Sequence, residues 1–193
     1  NSISDDLKQS LDKDPYSDVP SVSDGHAEHR LDFIRGDHSK KVSLFRDRDG
    51  QRLGDIVNSG VAYSGAPSST IQSTSFPGFV EDNKNRKSAV FVGANNGMLH
   101  AFDASNGDEL FGYIPSWMGP KLSALPSKKY LDNHQAYVDA SPVVAEAQIG
   151  SADTKENWKT VLVRGTGAGG RGGFALDVTD PTQFSASKVM WEF

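Results

Sequence analysis

The sequence predicts an all-β fold: a partial β-propeller of about two four-stranded antiparallel blades, with short helical insertions. Three observations predict it. Residues 90–109, VFVGANNGMLHAFDASNGDE, read as a hairpin, with Val90, Phe91 and Val92 on one strand and Met98, Leu99, Ala101 and Phe102 on the return. Asn95-Asn96-Gly97 supplies the tight turn between them, because these residues tolerate positive φ, and residues 103–107 make the next turn. The same pattern recurs near the C-terminus at roughly 70–80 residues' spacing, longer than the ~40–45 of compact blades. Thirdly, 36% hydrophobic residues and 19 glycines among 193 residues suit short strands joined by tight turns.

Along the chain, residues 1–30 are polar and read as a linker or N-terminal extension, and residues 31–193 as the partial propeller. Within the extension, Leu7 and Leu11 at i, i+4 predict a short helix over 5–13, stopped by Asp14-Pro15. Leu31, Phe33 and Ile34 predict a short helix over 29–35 that packs under the first blade, and residues 42–45 a brief strand or turn. Blade one is expected at about 54–116 and blade two at about 137–193. In the repeat, Val161–Val163 are matched with Val90–Val92, and Phe174-Ala175-Leu176-Asp177 with His100-Ala101-Phe102-Asp103. The final strands match as 109–113 with 188–192, and the entries match as Asp55–Ser59 with Val138–Ser141 if one position slips. The extra length sits in two loops, chiefly 66–87 and 116–136. Residues 68–80 read as a Ser/Thr-rich loop and 115–131 as partly helical, interrupted by Pro120 and Pro126. Two blades cannot close a ring, so the pattern is expected to belong to a larger domain.

Composition removes several function classes. A net charge of −5 gives no electrostatic footprint for nucleic acid. No apolar run approaches membrane-spanning length. The absence of cysteine excludes disulfides, thiolate zinc sites and thiol catalysis.

Candidate sites are few. Asp47, Asp49 and Asp55 form a D-x-D-G-x-x-x-x-D series whose carboxylates have the spacing of calcium ligands, but Arg46 and Arg48 oppose it and salt-bridged turn residues are expected. Residues 165–173, GTGAGGRGG, invite a phosphate-loop reading, yet a strand and no helix follows. A wide hairpin loop is expected, its glycines letting adjacent blades approach closely. His26, His29, His38, His100 and His134 form no ligand pair on a predicted element, although His26 and His29 are near enough for adventitious metal. Trp158 and Trp191 are expected to pack in the core. Arg35-Gly36-Asp37 is an RGD tripeptide, readable as a receptor-binding loop tip or as a structural turn.

These landmarks resemble the PilC/PilY family of type IV pilus tip-associated adhesins and biogenesis proteins. The resemblance runs from about residue 31 to 193 and rests on FIRGDHS at 33–39, FRDRDGQRLGDIVNS at 45–59, VFVGANNGMLHAFDASNGDELFGYIPS at 90–116, NHQAYVDASPVVAEA at 133–147 and WKTVLVRGTGAGGRGGFALDVTDP at 158–181. Gly60 stands where the family tends to have proline, and Ala140 where it tends to have glycine. The resemblance implies the N-terminal part of a C-terminal propeller with quinoprotein-like repeats, preceded by an adhesive domain. It implies a non-enzymatic role in pilus biogenesis, twitching, tip adhesion and virulence, with loops at 66–85 and 116–136 as contact surfaces. The implied partners are minor pilins, pilus-tip proteins and surface or host receptors. Arg35, Gly36 and Asp37 are the implied integrin-binding residues. The implied setting is an exported protein at the cell surface or pilus tip, outer membrane-associated or periplasmic during assembly. Calcium is implied for a full-length protein, with no site in this chain. The alternative is a fragment of a pyrroloquinoline quinone-dependent dehydrogenase, whose repeats look alike over residues 90–109.

Overall fold

The computed structural model describes residues 5–37, 43–68 and 71–193. Two four-stranded antiparallel sheets dominate it. The first has β1 (Ala62–Ser64), β2 (Ala89–Ala94), β3 (Met98–Asp103) and β4 (Glu109–Tyr113), hydrogen-bonded in chain order. The second repeats this order with β5 (Val143–Gln148), β6 (Trp158–Gly165), β7 (Gly173–Asp177) and β8 (Val189–Glu192). The helices are α1 (Asp5–Leu11), α2 (Ala27–Ile34), α3 (Phe76–Asn83) and α4 (Gly119–Leu122). An all-β partial propeller with helical insertions is therefore the fold.

Local chemistry sets the turns. Gly97, at φ +87°, closes the β2–β3 hairpin, and any side chain there would also overlap Leu122. Asp103 opens the β3–β4 turn by accepting hydrogen bonds from the Ser105 N–H at 2.9 Å and from its hydroxyl at 2.7 Å. Its carboxyl is held down at about 2, first by Lys87 and then by Ser105. Asp177 does the same in the second sheet, accepting from the Thr179 N–H and pairing with Lys188.

These two aspartates fix the structural equivalence of the sheets. Asp103 lies opposite Ala89, and Asp177 opposite Val161. Ala89–Phe91 therefore correspond to Val161–Val163, one residue earlier than the sequence match. The same holds for the last strand. Phe111 pairs with Ala101 and Trp191 with Ala175, so residues 109–113 correspond to 189–193. Each final pairing carries a register shift at the equivalent place, Ala101/Phe102 and Ala175/Leu176. The correction matters because a slip of one residue exchanges the two faces of a strand.

With this register, Ala62–Phe91–Ala101–Phe111 form one cross-strand row and Val143–Val163–Ala175–Trp191 its counterpart. The first row faces the second sheet. Phe111 stacks on Phe184, centroids 3.9 Å apart and nearly parallel, and Tyr113 meets Phe174 edge-on at 4.9 Å. Phe91, Leu99, Leu162, Phe174 and Leu176 are buried in the same core. The counterpart row lies on the open face, where Trp191 is 42% exposed. Core packing for Trp191 is thus corrected. Trp158 is buried, against Phe76 at 4.6 Å.

Three further expectations change. The Ser/Thr-rich stretch contains α3, with Pro77 in its first turn and Phe76 and Phe79 buried against Trp158. Strand structure in blade one starts at Ala62, not at Gly54, and residues 54–61 form an irregular connection. The polar extension is docked: Leu11 is fully buried, and the buried Arg30 donates to the Leu11 carbonyl at 2.9 Å and to Asp24 at 2.7 Å. Residues 1–4, 38–42 and 69–70, which include His38, Ser39 and Val42, lie outside the described residues. Residues 43–45 form a turn with Phe45 buried edge-on to Phe33.

Candidate functional site

Chemistry-bearing side chains gather in two places: the seam where the sheets enter, and a groove on the first sheet's other face. At the seam, the connection before β1 meets the connection before β5. Asp139 accepts from the Asn58 N–H at 3.1 Å and from its Nδ2 at 2.6 Å, and Ser141 Oγ accepts from the Gly60 N–H at 2.7 Å. Both contacts join residues 81 positions apart, the offset that also relates Ala62 to Val143. Equivalent points of two repeats touch only beside the rotation axis that relates them, so the seam lies next to that axis.

Arg164, on β6, is buried in the seam. It donates to the Val138 carbonyl at 2.9 Å and lies flat on Gly93, where any side chain would overlap its guanidinium. Its Nε and Nη1 have no partner among the described residues. Burial pulls its pKa down to about 10, and Asp139 works in the opposite sense. The glycine-rich loop completes the seam. Gly167 rests on Ala140, Gly169 on the Tyr137 backbone and Gly172 on Trp117, so the loop is a wide hairpin connection that permits close approach.

The groove encloses about 550 Å³ between α2 and the face of the first sheet that points away from the second. Met98, His100 and Phe102 form its floor, Leu31 and Ile34 one wall, and the exposed Arg35 and Arg52 stand at its edge. His100 is buried, its Nδ1 2.6 Å from Glu109 and its Nε2 3.1 Å from the Asn96 side-chain oxygen. The hydrogen bond from His100 holds the Glu109 carboxyl below its ordinary value, against the opposing effect of burial. Sequence reasoning weighed His100 only as a metal ligand and passed over Arg164, although a basic residue inside each apolar strand was the available signal.

The RGD tripeptide forms the end of α2. The Gly36 N–H donates to the Phe33 carbonyl at 3.1 Å and the Asp37 N–H to the Asp32 carbonyl at 2.9 Å. This is the Schellman pattern, and Gly36 supplies the left-handed residue it needs at φ +89°. Arg35 and Asp37 are both exposed.

The aspartate series does not converge. Asp47 accepts from the Asp49 N–H at 2.9 Å in a local turn. Asp55 instead accepts from Asn95 Nδ2 at 2.8 Å and pairs with His134 at 3.1 Å. Arg46 and Arg48 turn to backbone carbonyls and aromatic rings: Arg46 donates to Leu125 and lies over Tyr130 at 4.8 Å, and Arg48 lies over Phe33 at 5.3 Å. Among the described residues no group of three or more His, Asp or Glu side chains is arranged to hold a metal ion. His26 and His29 stack on each other at 5.8 Å. The 116–136 loop turns Met118, Leu122, Leu125 and Tyr130 into the core, whereas Leu131 is largely exposed. No helix among the described residues is long and apolar enough to cross a membrane.

Comparison with known proteins places these features in context. A family model described as the PilY1 beta-propeller domain matches residues 53–193. Type IV pilus biogenesis factor PilY1 of Pseudomonas aeruginosa strain PAK is 44% identical over 99% of this chain and 16% of its own length. A PilY1 homolog of Xylella fastidiosa is 39% identical over 84% of this chain and 13% of its own length. The crystal structure of the Pseudomonas aeruginosa PilY1 C-terminal domain aligns at a TM-score of 0.42 and 41% identity, covering 61% of this chain and 20% of that one. The chain thus spans about a sixth of the length of the curated relatives it matches.

Proposed function

Because this chain belongs to the PilY1 β-propeller family, we propose that it is a scaffold section of a type IV pilus biogenesis factor and catalyses no reaction itself. It holds loops rigidly toward minor pilins and pilus-tip proteins, and toward surface or host receptors, on an exported protein that reaches the pilus tip. The observation that carries this reading is the seam. Asn58–Asp139, Gly60–Ser141 and Arg164 on Gly93 lock one sheet to the next, and rigid scaffolds with projecting segments suit recognition. The 66–85 insertion is itself braced. Asp153, on the β5–β6 connection, accepts from Ser73 Oγ at 2.7 Å and from Thr74 Oγ1 at 2.8 Å, while Lys155 pairs with Asp82 at 2.8 Å. Arg35 and Asp37, exposed beside the groove, are the receptor-facing residues of the proposal. Any calcium control in it acts on the longer protein and not through Asp47, Asp49 or Asp55.

The test is made in the bacterium, in the full-length gene. Deleting the segment coding for residues 53–193 is expected to abolish surface pili and twitching, and unchanged piliation would overturn the reading. Asp37→Ala is expected to leave piliation intact and lower attachment to host cells. Undiminished attachment would remove the tripeptide from the proposal while leaving the biogenesis role standing.

A further inference from the structure

The two sheets are joined at both ends of their second strands. The seam gathers near the ends of β2 and β6, at Gly93 and Arg164, whereas the β1–β2 insertion crosses to the second sheet where β6 begins, at Trp158. The insertion's hold is concentrated. Among the described residues, the hydrogen bonds and ion pairs that run from residues 71–85 to the second sheet end on Asp153, Lys155 and Trp158. Asp153 alone accepts from the hydroxyls of Ser73, Thr74 and Ser75 and from the Thr74 N–H at 3.3 Å. These bonds, Ser75 first, hold its carboxyl well below its ordinary value, so it is ionised at neutral pH. Trp158 Nε1 donates to Ser75 Oγ at 2.8 Å, and the Lys155 stem lies against Gly78, where an added Cβ would stand 3.4 Å from that of Lys155.

Nothing in α3 itself replaces these contacts. It has eight residues with Gly78 inside it, and Ser75 at its N-cap position makes no capping bond because its hydroxyl is given to Asp153. Helices of this length do not hold in water by themselves. Phe76 and Phe79 close on Trp158 in a cluster separate from the core that unites the sheets. Arg86 ties the insertion down again: its side chain is 6% exposed and donates to the Gly65 carbonyl at 2.6 Å, Ser64 Oγ at 3.2 Å and Glu146 at 3.3 Å.

We propose that residues 71–85 are a releasable clasp between the blades, with Asp153 as its catch and Arg86 as its fixed end. Docked, the clasp braces the β5–β6 connection and covers Trp158. Released, it opens as one unit while both sheets and the seam stay folded, because a segment with its own small core opens at a lower free energy than the whole. The open state bares Phe76, Phe79 and Trp158, an apolar face that the docked state hides. The seam has no such catch: Gly169 lies on the backbone of Tyr137, which belongs to the main core.

Amide hydrogen exchange of the intact protein at neutral pH, read by mass spectrometry, tests this. Peptides over residues 76–85 are expected to exchange well ahead of β2, β3 and β7. Asp153→Ala, at an exposed position, is expected to speed residues 76–85 about tenfold or more and leave those strands unchanged, since losing charge-assisted hydrogen bonds shifts the local opening alone. Gly78→Cys with Lys155→Cys, whose Cβ atoms would lie close to the near edge of disulfide range, is expected to slow the same peptides when oxidised. Reductant is expected to reverse that slowing and to leave the same peptides of the parent protein unchanged. Exchange of residues 76–85 in step with β2 and β3, an Asp153→Ala variant that matches the parent or speeds every strand equally, or a cysteine pair that stays free or fails to slow the segment would each overturn the proposal. None of these outcomes bears on piliation, so the pilus reading is judged separately.

Discussion

Replacing Phe174 by alanine is expected to destabilise the chain by about 3–5 kcal/mol, the range for a buried aromatic truncated where the surroundings cannot collapse. Phe174 is fully buried and receives Tyr113 edge-on at 4.9 Å and Trp117 at 6.4 Å. Two sheets and the 116–118 turn meet on this one ring, and each is held in place by other contacts. Tyr113, for instance, also donates its hydroxyl to Glu192. The hole would therefore persist. Trp191→Ala is the control. It removes a larger side chain from the open face and is expected to cost about 1 kcal/mol or less. Urea unfolding followed by far-ultraviolet dichroism measures both. Equal losses would show that the two faces of the second sheet are not the packed and open faces described.

The second large effect is expected at Gly169. Any side chain there would overlap the Tyr137 carbonyl oxygen, which belongs to backbone and cannot rotate away. Tyr137 is itself fully buried, with its N–H donating to the Asn95 side chain at 2.9 Å and its hydroxyl to the Lys121 carbonyl at 3.0 Å. Relief would require lifting the glycine-rich loop off the seam. Gly169→Ala is therefore expected to cost more than about 3 kcal/mol, beyond the usual range for overpacking. Gly165→Ala, four residues earlier in the same signature, meets nothing closer than 3.7 Å and is expected to be tolerated. If both were equally harmless, the loop would not lie against residues 137–140.

The repeat was legible in the sequence because turn chemistry marks it. Asp103 and Asp177 each open a turn with their own side chain, and the apolar strands before them are short and bounded. The register was not, since Val90–Val92 and Val161–Val163 look alike while apolar residues occupy both faces of these strands. Anchoring Gly93 on Gly165 together with Asp103 on Asp177 gives the observed pairing. α3 was hidden for a related reason. Phe76-Pro77-Gly78-Phe79 carries turn residues, but proline is at home in a first helical turn, and the helix is held by burial of Phe76 and Phe79 on Trp158, a contact from another sheet. The polar N-terminal stretch looked like a linker because its docking rests on a few scattered residues, Leu7, Leu11, Tyr16, Ala27 and the buried Arg30, set among polar ones. Of the candidate site, the tripeptide was visible and its local role was not: the Schellman bonds depend on where α2 ends, the boundary that pattern places least well. The groove was invisible, because it exists only where α2 stands off the first sheet.

Residues 62–113 and 143–193 are successive blades related by rotation about an axis beside their entry segments. Gly60 and Ser141 test it most directly. A Cβ built on Gly60 lies 3.5 Å from that of Ser141, at the near edge of disulfide geometry. The chain has no cysteine, so Gly60→Cys with Ser141→Cys would introduce its only thiols. This double variant is expected to oxidise in air to an intramolecular disulfide with unchanged secondary structure, read as loss of titratable thiol and faster migration without reductant. Two thiols that stay free in the folded protein would contradict it.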